Sequence, residues 1–256
     1  MNTTPTYELK LNPDLDPAQF AAIYKRDGIV QIPNILAEDT AKGLLDVLVN
    51  GTPWRLAFPK PSATPGGRDE IVYLNREEID KMGMEAAKQE IDGVLLRARQ
   101  NYGYMYNVYP MVEAYTNGWD KGHPLHTVTE FLNSRSFLEF GRTVIGADRI
   151  TKADASATQF APGHFLTRHI DEGYDRERRA AYTLGMTPGW QTDWGGLLMF
   201  LDDNQDIERA YMPRFNVLTL FDGTRIHSVS QVAGFAGGGR VSITGWLRDD
   251  PPVTNH

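Results

Sequence analysis

The chain of 256 residues contains no cysteine. That excludes a disulfide framework, a thiolate metal site, an iron–sulfur cluster and a cysteine nucleophile, and leaves His, Asp and Glu as the side chains able to ligate a metal. A basic tail or stripe is also missing: 26 Lys and Arg stand against 33 Asp and Glu, and the net charge of −7 is spread over both halves. A nucleic-acid partner is disfavoured on that ground. No apolar run approaches the roughly 18 residues that cross a membrane, and Met-Asn-Thr-Thr-Pro-Thr-Tyr-Glu at the start has neither the cationic nor the apolar segment of a secretory leader. A soluble cytoplasmic protein with no membrane partner is the expectation. What the chain does have is ordinary globular composition, 41% hydrophobic and 11% aromatic, enough to bury a core without covalent staples.

The first half reads helically. Asp16 is placed to cap a helix that Asp27-Gly28 stops before a short strand at Ile29 to Ile32. Asp39 precedes Ala41, Leu44, Leu45, Val47 and Leu48, one face of a second helix ending at Asn50-Gly51. A third helix is expected from about Arg76 to Arg99 and a fourth from about Thr127 to Val144. Between the second and third lies the Pro/Gly-rich stretch 59–68, read as an inert connection or a lid. From Ile150 the apolar pattern changes to period two, predicting strands near 152–160, 164–171, 180–187, 196–202, 208–213, 215–221, 227–233 and 240–248. Helices followed by eight short strands predict an α+β fold, a jelly-roll or double-stranded β-helix core buttressed by amino-terminal helices. A single domain over 1–256 is expected, with 1–149 as mainly helical support and 150–250 as the core with the metal site.

His169-Ile170-Asp171 is the one His-x-Asp triplet in the sequence. On a strand, residues i and i+2 point to the same face, so His169 and Asp171 project together while Ile170 turns away. Two ligands from one strand need a third to complete the two-histidine, one-carboxylate face that leaves positions open on Fe(II). His227, 58 residues on and at the start of a later predicted strand, is the candidate. The last strand adds a second signal, because Arg240, Ser242, Thr244 and Trp246 share one face and Val241, Ile243, Gly245 and Leu247 the other. An arginine among hydroxyls and an indole reads as the lining of a wet cavity, since an unpaired buried Arg is costly and wants an anion. An arginine fork takes a carboxylate in a bidentate way, and Ser242 adds a third hydrogen bond. A metal triad beside a carboxylate clamp implies a co-substrate that chelates metal at one end and carries a carboxylate at the other, as 2-oxoglutarate does.

These residues make the stretch from Phe160 to Arg248 familiar. Gly163 to Asp171, Trp194-Gly195-Gly196-Leu197-Leu198, Phe215-Asn216, His227-Ser228-Val229 and Arg240-Val241-Ser242-Ile243-Thr244-Gly245-Trp246 resemble the Fe(II)- and 2-oxoglutarate-dependent dioxygenases, above all their prolyl-hydroxylase-like branch. The resemblance implies that His169, Asp171 and His227 hold Fe(II), and that Arg240 and Ser242 bind the distal carboxylate of 2-oxoglutarate. With O2, the co-substrate would be decarboxylated to succinate and CO2 while a C–H bond is hydroxylated. The retained Asp171 argues for hydroxylation, since halogenating relatives carry a small residue there. Phe160 departs from the pattern: close relatives often have a tyrosine whose hydroxyl helps hold 2-oxoglutarate. Thr183 or Tyr182 on the next strand is expected to compensate, and Thr183 is preferred because Ala181 and Gly185 leave its face room.

For the substrate, the resemblance implies a prolyl residue in a protein or peptide, with a free amino acid or small metabolite as the alternative. Trp246, and more weakly Tyr104, Tyr106 and Tyr109, are candidates to line its site, with Arg178 or Arg179 to meet a carboxylate. His123, His126 and His164 are read as structural and Trp194 as part of a turn. A cupin-like metal barrel without oxygen chemistry is the competing reading from another class, and the oligomeric state is left open.

Overall fold

A computed structural model of the chain describes residues 9–62, 64, 69–100, 102–171, 173 and 176–250. The first helix, α1 (Pro17–Asp27), begins where Asp16 Oδ1 accepts from Ala18 N at 3.0 Å and ends at Gly28, whose left-handed φ of +66° closes it. Then come β1 (Ile29–Pro33), α2 (Glu38–Asp46), which runs on as a π turn over Val47–Gly51, β2 (Arg55–Lys60), β3 (Glu70–Leu74), α3 (Arg76–Met82), α4 (Met84–Ala98) and β4 (Tyr104–Tyr109). Three short helices follow, α5 (Met111–Thr116), α6 (Pro124–Leu132) and α7 (Arg135–Ile145). The single helix expected over 76–99 is broken at Gly83, whose φ of +83° no helix accommodates. The one expected over 127–144 is two helices, because Ser134 caps a new start at Phe137 N. Ala37 stands at the N-cap of α2 and Asp39 lies in its first turn.

The remaining strands are β5 (Lys152–Ala153), β6 (Ser156–Phe160), β7 (Phe165–His169), β8 (Arg178–Gly185), β9 (Leu198–Leu201), β10 (Ile207–Tyr211), β11 (Val217–Phe221), β12 (His227–Val229) and β13 (Arg240–Arg248). All eight expected strands are present, the first divided into β5 and β6. One antiparallel sheet runs β1-β11-β8-β13-β6-β4, and β4 hands over to a second in the order β4-β7-β12-β9-β10. This curled pair of sheets is the jelly roll. The supporting half is less purely helical than expected, since β2, β3 and β4 also belong to it, and β4 is the seam between the sheets. Of the stretch 59–68, Pro59 and Lys60 finish β2, while Ala63 and residues 65–68 lie outside the described residues.

The alternation in β13 separates two environments. Val241, Ile243 and Leu247 join Tyr182, Leu184, Leu218 and Leu220 in the main core, where α2, α6 and α7 cover the outer face of the first sheet with Leu44, Leu48, Leu132, Phe140 and Val144. The other face of β13 looks into the roll. Burial of the aliphatic face, at about 25 cal/mol per Å2 removed from water, pins the register and thereby fixes which side Arg240 takes. Gly245 is required in this strand because the Asp154 carbonyl oxygen lies 1.9 Å from where a Cβ would stand.

Candidate active site

The strand pair β7–β12 assembles the three expected ligands. His227 lies opposite His169, and the pairing slips by one residue before Val229 meets Leu166. The extra residue in β7 resets the alternation, so that Leu166 and His169 both line the inner cavity. Asp171 follows just beyond the strand, its N–H donating to the Gly223 carbonyl at 2.7 Å, which anchors it to the turn before β12. His169 Nε2 stands 3.5 Å from Asp171 Oδ1, and His227 Nε2 3.3 Å from Asp171 Oδ2. The ligand atoms of all three lie within 4.8 Å of one another.

Both imidazoles are oriented by the same local device. His169 Nδ1 donates to the Thr167 carbonyl at 2.9 Å and His227 Nδ1 to the Arg225 carbonyl at 2.9 Å. Since a carbonyl only accepts, each ring carries its proton on Nδ1 and turns the lone pair of Nε2 toward Asp171. Burial, followed by the neighbouring His227, lowers the His169 pKa below the ordinary imidazole value. Burial by itself would raise the Asp171 carboxyl, but the neighbouring His227 and His169 hold it below the usual carboxylate range. Two imidazole nitrogens and a carboxylate, all facing one point, are ligands a divalent metal takes, so the donor set fits Fe(II).

The inner cavity has a volume of about 580 Å3. Arg240 lies in its wall and is 3% exposed. Its Nη1 donates to the Gly196 carbonyl and its guanidinium sits 5.0 Å from the Phe160 ring centroid, but Nε has no hydrogen-bond partner. Among the described residues no carboxylate pairs with it, and burial pulls its pKa down to about 10, leaving it charged at neutral pH. A buried cation with an orphaned donor is completed by an anion. Gly196 is needed here: its φ is +63° and a Cβ would stand 3.1 Å from the Arg240 side chain.

Ser242 is buried between Arg240 and Thr244, and its hydroxyl is 2.9 Å from that of Thr158, which lines the cavity itself. Thr158 escaped the sequence reading because only the β6–β13 register, which sets it opposite Ser242, reveals it. Thr183 and Thr244 face each other across β8 and β13 and both line the cavity. Tyr182 is engaged elsewhere, donating to the Asp154 carbonyl at 2.6 Å. The space expected beside Gly185 is filled by the backbone of Arg214, whose oxygen lies 2.5 Å from a Cβ placed there. Trp246 lines the cavity with its indole N–H buried and without a hydrogen-bond partner. Arg178 stacks over the Trp246 ring at 3.7 Å and lines the same space, whereas Arg179 pairs with Asp249 away from it. Of the three candidate tyrosines Tyr106 lines the cavity; Tyr109 is in the helical core and Tyr104 is buried with Ala57 and Val108. Tyr102, unforeseen, lies 5.7 Å from the His169 ring at the mouth. His123 caps α6 and His126 bonds the Trp119 carbonyl at 2.8 Å, both structural, and Trp194 ends a 3-10 turn. His256 lies outside the described residues.

A jelly roll carrying two imidazoles and a carboxylate at one end of a cavity, and a buried unpaired arginine in its wall, has the donors for a divalent metal and, in the same space, a place for an anion. Residues 155–248 match the family model of the 2OG-Fe(II) oxygenase superfamily, whose members use Fe(II), 2-oxoglutarate and O2. No curated protein matches the chain. Among solved structures it is similar to a Pseudomonas putida prolyl-4-hydroxylase, at 16% identity over 91% of this chain and 99% of that one, with a TM-score of 0.54. It is also similar to a Trichoplax adhaerens prolyl hydroxylase in complex with a hypoxia inducible factor oxygen degradation domain peptide fragment (16% identity, 91% and 89% coverage, TM-score 0.56). A Burkholderia pseudomallei oxidoreductase of the 2OG-Fe(II) oxygenase family aligns at 15% identity over 96% of this chain and 97% of that one, with a TM-score of 0.55. Likeness at these identities establishes the shared fold. Among the described residues no helix is long and apolar enough to cross a membrane.

Proposed function

We propose that the chain hydroxylates a prolyl residue in a protein or peptide, with release of succinate and CO2. The observation that carries this reading is a second hollow of about 750 Å3 on the outer side of β7, β12 and β9, lined by Leu95, Ala98 and Arg99 of α4's end together with Phe165, Met199 and Ser228. Tyr102, Leu166, Arg168 and Val229 border both it and the inner cavity. A small metabolite needs no such extension, whereas a polypeptide presenting one residue to the metal must lay its neighbours somewhere. The fold shared with prolyl hydroxylases, one of them holding a peptide, supports the same conclusion.

In this reading His169, Asp171 and His227 hold the metal, and Arg240 with Ser242 takes the distal carboxylate of the co-substrate. Bound Fe(II), with 2-oxoglutarate and O2, supplies oxidative decarboxylation coupled to C–H hydroxylation. The chain's contribution is placement: Arg240 fixes one end of the co-substrate, the triad receives the other, and Leu166, Phe160 and Trp246 wall the reacting space against water.

A free amino acid is the second reading, favoured by Arg178 over Trp246 at the cavity wall, its Nε without a hydrogen bond though 3.9 Å from Glu177 Oε1. The test is incubation of the full chain with Fe(II), ascorbate, 2-oxoglutarate and air, offering proline-containing peptides in one arm and free amino acids in the other. One added oxygen on a peptide prolyl, matched by succinate, is expected, and Leu95→Asp should raise KM for that peptide while substrate-free succinate formation is unchanged. Oxygen added only to a free amino acid would overturn the prolyl reading.

A further inference from the structure

Phe160 sits where the co-substrate's wall wants a hydroxyl, and the structure shows what stands behind it. β4 and β6 pair with Asn107 opposite Gln159 and Val108 opposite Thr158, a register that puts Tyr106 beside Phe160. The two rings stack with centroids 4.8 Å apart and planes 20° apart. Phe160 in turn lies under the Arg240 guanidinium. Tyr106, Phe160 and Arg240 therefore form one stretch of cavity wall, and all three line the same space.

Tyr109 and Tyr182 spend their hydroxyls within the protein, on Asp120 at 3.1 Å and on the Asp154 carbonyl at 2.6 Å. Among the described residues no partner exists for that of Tyr106. Tyr106 is half-buried and lines the cavity, so its O–H is a donor open to an anion held there. Burial, reinforced by Tyr104, Tyr102, Tyr73 and Asp171, raises its pKa far above neutrality, so the group is present as a phenol able to donate. Thr183, the other candidate donor, is on β8, two strands from Phe160 with β13 between.

We infer that Tyr106 supplies the hydroxyl that Phe160 lacks, donating a hydrogen bond to the 2-oxoglutarate that Arg240 anchors. The hydroxyl has moved one strand sideways, a displacement close to the strand spacing of about 4.8 Å, with the aromatic stack kept as its support. The inference rests on the reading of Arg240 as the carboxylate clamp.

The experiment is calorimetric titration of 2-oxoglutarate into the full chain loaded with Mn(II), which binds without turnover. Tyr106→Phe keeps the ring and its stacking, so an unchanged melting temperature and Mn(II) affinity are expected, with Kd for 2-oxoglutarate raised about tenfold or more, the worth of one hydrogen bond to a charged group. Adding Phe160→Tyr to that variant should bring Kd back to within about threefold of wild type, which a purely structural role for Tyr106 would not produce. Wild-type affinity in Tyr106→Phe, or a comparable loss that follows Thr183→Val instead, would overturn the inference. Arg240→Met is the control for the reading beneath it: if that variant binds 2-oxoglutarate normally, the clamp assignment itself fails.

Discussion

Arg240 is the residue whose energetics separate the empty from the loaded protein. In the ligand-free molecule its charge is buried, with one carbonyl, an aromatic face and an unsatisfied Nε for company. Replacing a poorly compensated buried charge by an apolar side chain of similar length is often stabilising, by about 1–4 kcal/mol. Arg240→Met should therefore raise the melting temperature of the ligand-free protein by several degrees and abolish the further rise that 2-oxoglutarate gives wild type. A variant that melts lower than wild type without ligand would contradict this. At the triad, Asp171→Ala should cost at least a hundredfold in Mn(II) affinity, read by calorimetry, because it removes the only anionic ligand and leaves two imidazoles facing each other at 4.1 Å between ring centroids. These residues were legible because their chemistry is incongruous with its pattern: an arginine has no reason to share an inner strand face unless the face is wet, and His-x-Asp on a strand is a same-side pair. Tyr106 and Thr158 were not legible as site residues, since a tyrosine or threonine belongs equally well in a core, and only strand register brings them to Phe160 and Ser242.

At the level of elements, the period-two strands after residue 150 were readable because helices cover one face of the first sheet and the cavity wets the other, which writes the alternation into the sequence. β4 had no such signature. Its Tyr-Met-Tyr-Asn-Val-Tyr is buried at both ends on either face, because it is the seam between two sheets, and a strand covered on both sides loses alternation. β2 was hidden by Pro59, which counts against a strand interior, and the α3/α4 break by the apolar periodicity continuing through Gly83. β13 is the element on which core and cavity both depend, and Gly245 is its most constrained position. Gly245→Ala would drive a methyl into the Asp154 carbonyl and should destabilise by at least 1–3 kcal/mol, measured as a lowered urea midpoint with an unchanged m-value. An alanine tolerated within about 0.5 kcal/mol would show that the β5–β6 connection yields freely.

Over the whole molecule, acidity couples the fold to the metal site through histidines held neutral. His164, buried in the turn that leads into β7, accepts from Ala161 N at Nδ1 over 3.2 Å, a bond its protonation destroys, and burial lowers its pKa below the ordinary imidazole value. His169 is lowered for the same first reason, with His227 adding to it. A base with a depressed folded-state pKa binds fewer protons folded than unfolded as pH drops below about 6.5, the unfolded value. Its contribution to stability is therefore complete above that pH and is lost as pH falls toward the lower folded pKa. The ligand-free protein should show a flat melting temperature from pH 7 to 8 and a decline between about 6.5 and 5, before the carboxylates titrate. His164→Asn should make that decline shallower, since an amide can keep the bond to Ala161 N without titrating. Saturating Mn(II) should raise the curve at neutral pH and steepen its fall on the acid side, because protons then compete with the ion for His169. A ligand-free profile level down to pH 5 would mean that burial does not hold these imidazoles neutral, and the free Nε2 lone pairs facing Asp171 would lose their explanation.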